Sequence, residues 1–409
     1  MLPDIVAILI LWTCFFVMIV HVFRVCKRES ALRQYTLTLA FIAMLWGAGT
    51  IVNIVRLSGV QDSYDGVIHE REARNIAEHV TSFSLSSSDF MVVGNKAYRL
   101  FLGIFYGITG INHWCIYGIN CALGFSGLLF ITEGCCRYFG AEKYPLWLLL
   151  LTFLLPSFVL WIPLNLKEGS IVFSIGLLLR FGALQPQGSA RSHSSVGMAI
   201  FGALFLFCLR PHVCAAWICG LSVGGLGQKQ SPAQSLATIA FILVVAVGAV
   251  YSIELARPGF LNSIADDGLQ GSLESGYEKR KDIGDSAIYR QESPIPVVTG
   301  LAIIILSPPP QFWGAPHWLI FGLESLALSG LCARSWTNIR IPRLQAIQQP
   351  AIAGAVVVIL MLALHLSYSY NMGLALRQKI QVVPALLILI SGPVLMAQKL
   401  RNTEPVSNA

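Results

Sequence analysis

Residues 5–24, IVAILILWTCFFVMIVHVFR, carry no formal charge until the closing arginine. A helix rises about 1.5 Å per residue, so such a run spans roughly 30 Å, the thickness of a bilayer's hydrocarbon core. No basic segment precedes it and no small-residue cleavage site follows, so it reads as a retained first helix. The same pattern recurs along the chain at 35–56, 112–133, 144–164, 169–184, 196–209, 213–227, 235–254, 317–333, 351–370 and 380–397. With the first run, these predict an all-α polytopic membrane protein of about eleven transmembrane helices, a single integral membrane domain over 1–409. Two shorter runs, 98–110 and 297–307, are expected to be re-entrant or interfacial.

Composition points the same way. Charged residues make up 12% of the chain and hydrophobic residues 55%, whereas soluble domains carry about 25% charge. The net charge of +7 is not a nucleic-acid signal. Lysines and arginines lie in short clusters between the apolar runs: Arg24, Lys27, Arg28 and Arg33, then Arg137 and Lys143, Arg191, Lys229, Arg334 to Arg343, and Lys399 with Arg401. With an outside N-terminus, all of these fall on the cytoplasmic side. Residues 57–97 and 256–296 then become extracytoplasmic loops. The ten cysteines lie in or beside apolar runs, without zinc spacing, and predict neither a disulfide framework nor a metal site.

Five polar groups interrupt this pattern. In DSYDGVIHE, Asp62, Asp65 and His69 occupy the first outer loop. If the stretch is helical, Asp65 and His69 share a face, and a carboxylate beside an imidazole suits general-base work. A solvated loop helix is the bland alternative. Lys167 and Glu168 sit at an abrupt junction after Pro156 and Pro163, and such charges need water or a polar cavity. Arg210, Pro211 and His212 lie at an outer helix end, where the positive-inside rule disfavours arginine. An anionic group such as a lipid phosphate would account for it, and so would a pair with Glu168 or lipid headgroup contact.

The fourth group, Asn371 with Arg377, Gln378 and Lys379, breaks the same rule; the rival reading is snorkelling to the headgroups. The fifth is SPPPQFWGAPHW with Glu324 about two turns into the next run. Three prolines end a helix, and an intramembrane carboxylate is a functional candidate or half of a structural ion pair. No P-loop, GxGxxG, HExxH or GxSxG is present, so no cofactor is predicted.

In this order the groups resemble those of bacterial multi-pass proteins from polysaccharide gene clusters, similar to GT-C-type glycosyltransferases and O-antigen-polymerase-like proteins. The matching positions are Asp65 with His69; Pro156, Ser157, Trp161, Lys167 and Glu168; Arg210, Pro211 and His212; Ser307 to Trp313 with Leu323 and Glu324; and Asn371, Gly373, Arg377, Gln378 and Lys379 before Pro384. Two positions depart: Ser307 stands where the pattern has arginine, and no tyrosine precedes His69.

The resemblance implies a GT-C-like fold and a glycosyltransferase or polymerase at the outer face of the bacterial inner membrane, using polyprenyl-phosphate-linked sugars. It also implies neighbouring polysaccharide-assembly proteins and allows for a divalent metal. Asp65 would be the general base, oriented or replaced by His69. Lys167, Arg210, Arg377 and Lys379 would face phosphate. Glu168 would hold a sugar hydroxyl or Arg210, and His212, Glu324, Asn371 and Gln378 would line the site. Broken helices with paired charges also suit a transporter or flippase of lipid-linked saccharides. A non-catalytic export subunit is the third reading. The enzyme reading expects Asp65, Lys167, Glu168, Arg210 and Arg377 around one outward cavity.

Overall fold

A computed structural model describes residues 2–57, 65–82, 93–110, 114–183, 193–226, 296–308, 316–337, 349–366 and 372–403, with scattered positions between 236 and 266. Among these residues every element is a helix. Four helices are long and apolar enough to cross a membrane: Ile5–Arg28, Thr36–Arg56, Trp114–Phe139 and Val383–Leu400. Shorter apolar helices cover Leu146–Trp161, His193–Leu209, Pro211–Gly224, Val297–Leu306 and Pro350–Leu366. The protein is thus a helical membrane protein, with no strand among the described residues. The chain divides into two compact units, Met1–Tyr138 with Glu142–Pro211, and Phe139–Ala141 with His212–Ala409.

In the first unit, Leu2–Arg28 packs on Thr36–Leu57, and the Trp46 indole N–H reaches the Phe153 carbonyl at 2.9 Å. The run expected to span 144–164 as one helix is instead two, Leu146–Leu154 and Pro156–Trp161. Leu155 between them is extended, because the residue before a proline is pushed out of helical backbone. The predicted span 169–184 begins as the helix Glu168–Leu177 and continues as a π-helix over Leu178–Ala183. It lies against Trp114–Phe139 through small residues. A Cβ at Gly127 would stand 2.5 Å from the Val172 carbonyl oxygen, and one at Gly176 would strike Gly127 itself. Contact this close is how helices associate in lipid, where no hydrophobic effect drives them together.

The predicted outer loop 57–97 contains the amphipathic helix Asp65–Thr81, which packs along Asn95–Thr109. Gly103 and Gly107 bring that second helix onto Ile76 and Val80. In the second unit, Pro350–Leu366 is central. Pro296–Leu306 and Val383–Thr403 pack on it, as does Pro211–Leu226 where Gly220 meets Gly354.

Candidate functional site

Of the predicted site residues, Asp62, Asn371 and the proline turn at 309–315 lie outside the described residues, as do nearly all of 256–296 and the side chain of Asp65. The rest fall into two groups, one in each unit.

In the first unit the chain leaves Trp161 through a short irregular stretch and re-enters a helix at Glu168, with Lys167 as the preceding residue. A carboxylate in the first turn is favoured by the helix dipole. Arg210 ends the helix His193–Leu209, and Pro211 opens the next, where its missing N–H costs nothing. These two breaks place an Arg210 guanidinium nitrogen 3.8 Å from a Glu168 carboxylate oxygen. Lys167, Glu168 and Arg210 are all buried, and Lys167 donates to the Asn95 side-chain oxygen. Two cationic side chains and one carboxylate are thus buried within one part of the first unit.

A polar network continues from this centre. The Tyr98 hydroxyl donates to the Asn165 side-chain oxygen at 3.3 Å and accepts from the Asn120 amide at 3.0 Å. The Asn165 amide donates to the Gly66 carbonyl at 3.2 Å, tying the start of Asp65–Thr81 to the same centre. His69 is buried, with its ring edge-on to Tyr98 at 5.3 Å. Arg99 Nε donates to His69 Nδ1 at 3.2 Å, and the same guanidinium pairs with Glu72. A guanidinium has only donors, so Nδ1 must be the accepting nitrogen and Nε2 carries hydrogen. His69 is thus held through Nδ1, which leaves Nε2 as its hydrogen-bearing nitrogen.

In the second unit Glu324 is buried on Pro316–Thr337, about two turns in as its spacing predicts. Lys379, at the end of the helix Met372–Lys379, is equally buried and donates to the Ser325 hydroxyl. Ser325 in turn donates to the Ser307 carbonyl. The snorkelling reading does not describe Lys379, whose ammonium is buried against Ser325. Burial pushes it down to about 8, while the Glu324 carboxylate acts in the opposite direction. Gln378 is buried and Arg377 half-buried beside it. The His212 ring lies against that of His365, tilted by 33° with centroids 4.1 Å apart. Of the residues expected around one cavity, Lys167, Glu168 and Arg210 lie in the first unit with His69, and Arg377 lies in the second.

Sequence reasoning missed Asn95, Tyr98, Asn120 and Asn165, since amides and aromatics give no periodic signal, and Arg99 beside them. It also missed Glu133 and Arg180. Both interrupt apolar runs and were legible by the argument applied to Glu324. Among the described residues, no three His, Cys, Asp or Glu side chains converge as a metal site requires.

What fold and site define is a class: a helical membrane protein with a charged, hydrogen-bonded centre inside each unit. The chain matches no protein-family model, no curated protein and no solved structure.

Proposed function

We propose that this is a GT-C-like membrane glycosyltransferase or polysaccharide polymerase of about eleven spans. It acts on polyprenyl-phosphate-linked sugars at the outer face of a bacterial plasma membrane. The observation that carries the reading is the buried Lys167–Glu168–Arg210 centre, where Lys167 donates to Asn95, beside the hydrogen-bonded Tyr98, Asn120 and Asn165, of which Asn120 also donates to the Leu166 carbonyl. Cations suit a departing phosphate, and neutral donors and acceptors suit sugar hydroxyls.

In the transfer, the acceptor hydroxyl oxygen attacks the anomeric carbon. The bond from that carbon to the phosphate oxygen breaks, and the polyprenyl phosphate leaves with the electron pair. Arg210 and Lys167 stabilise the charge that develops on it. With His69 assigned as a donor, Asp65 is the residue that takes the acceptor proton. Glu168 holds Arg210 in place until phosphate arrives.

The test is mass spectrometry of lipid-linked saccharides in a deletion strain complemented with wild type or Arg210→Ala. Accumulation of unpolymerised lipid-linked units on the outer leaflet in both the deletion and the variant is expected. Accumulation on the inner leaflet would instead favour a flippase, and unchanged polymer with Arg210→Ala would remove the phosphate role.

A further inference from the structure

At its other end the first unit holds a second charged centre that the proposed transfer does not use. Glu133 lies 13 residues beyond Asn120 on one helix, about 20 Å along it. Its side chain is 0% exposed. One carboxylate oxygen of Glu133 collects three guanidinium groups: Arg28 at 2.5 Å, Arg180 at 2.8 Å and Arg137 at 3.2 Å. Arg137 also pairs with Glu29. Arg28 closes the helix Leu2–Arg28, Arg137 lies in the last turn of Trp114–Phe139, and Arg180 lies in the π-helix.

Three guanidiniums thus converge on a single carboxylate oxygen, with Glu29 beside Arg137. The second oxygen of Glu133 is fully buried and has no hydrogen-bond partner among the described residues. A buried carboxylate oxygen left unmatched is costly, and it points to a missing donor. The side chains grade from Arg180 at 4% exposed, through Arg137 at 26%, to Arg28 at 46%, so the centre opens outward along the arginines.

The geometry points to a binding site for a phosphate group that carries a neighbouring hydroxyl. The phosphate would be held by Arg28 and Arg137, and the hydroxyl would donate to the second oxygen of Glu133. Arginine forks match phosphate oxygens, and basic pockets between membrane helices are where acidic headgroups bind. A phosphatidylglycerol headgroup and a soluble glycerol phosphate share this chemistry. The site is independent of the proposed sugar transfer, and its test does not read polymer formation.

The experiment measures the thermal midpoint of the full chain in three settings: phosphatidylcholine nanodiscs, nanodiscs containing phosphatidylglycerol, and phosphatidylcholine nanodiscs with added glycerol 3-phosphate. Wild type should gain several degrees in at least one of the last two, and which one identifies the lipid or the soluble source. Arg28→Gln should lose more than half of that gain. Lys27→Gln, an equal loss of charge one residue away at an exposed position, should keep it. No gain in either setting overturns the proposal. So does an equal loss in the two variants, which would mark general attraction of a basic surface to anionic lipid.

Discussion

Arg99 gives its Nε hydrogen to Nδ1 of His69 across 3.2 Å, and that bond decides what the histidine can do. An imidazole that accepts at Nδ1 presents hydrogen at Nε2, so in the proposed transfer His69 acts as a donor.

Two replacements separate these roles. Glutamine places an amide N–H near the position of Nε2, and asparagine near that of Nδ1. His69→Gln should keep transfer within about tenfold of wild type, while His69→Asn loses more. A general base would cost about 10²–10⁴-fold with either change. Equal and severe losses in the two variants would restore the base assignment.

The Arg210–Glu168 pair predicts a split between stability and activity. Removing one partner of a buried pair leaves the other charge uncompensated, at a cost of about 3–5 kcal/mol. Arg210→Met and Glu168→Leu should each unfold earlier in detergent than wild type. The double variant should recover most of the lost stability yet make no polymer. Additive destabilisation would show that the 3.8 Å separation carries no coupling.

Lys379 predicts a pH dependence. Its folded pKa of about 8 lies below the ordinary 10.5, so between these values the unfolded chain binds more protons than the folded one. Stability attributable to this residue therefore rises as pH climbs from about 8 towards 10.5. Lys379→Met should flatten that rise in a thermal series from pH 7 to about 10. A slope unchanged by the substitution would locate its source elsewhere.

Glycine contacts predict opposite outcomes at two positions. Gly127→Ala drives a methyl against the Val172 backbone, which cannot yield as a side-chain tip can, and should cost about 1–3 kcal/mol. Gly49 lies in the helix Thr36–Leu57 with nothing within 4 Å of a built Cβ. Gly49→Ala should be neutral or stabilise by up to about 1 kcal/mol, through helix propensity alone. Comparing the two midpoints in one detergent reads the difference.

The helical class and the membrane setting followed from the sequence, because the need to satisfy every backbone group in lipid makes a long uncharged run such as 5–24 helical whatever its neighbours. So did the helix breaks beside Glu168 and Arg210, since proline acts on its own backbone. Glu324 was legible for a similar reason: a lone carboxylate in an apolar run is visible without knowing its partner. The partners themselves were settled only by folding. Arg99 to His69, Lys379 to Ser325, and Arg28 and Arg180 to Glu133 join residues 30 to 105 positions apart. A side chain's charge is written in its residue type, but the group that compensates it depends on which helix faces bury together.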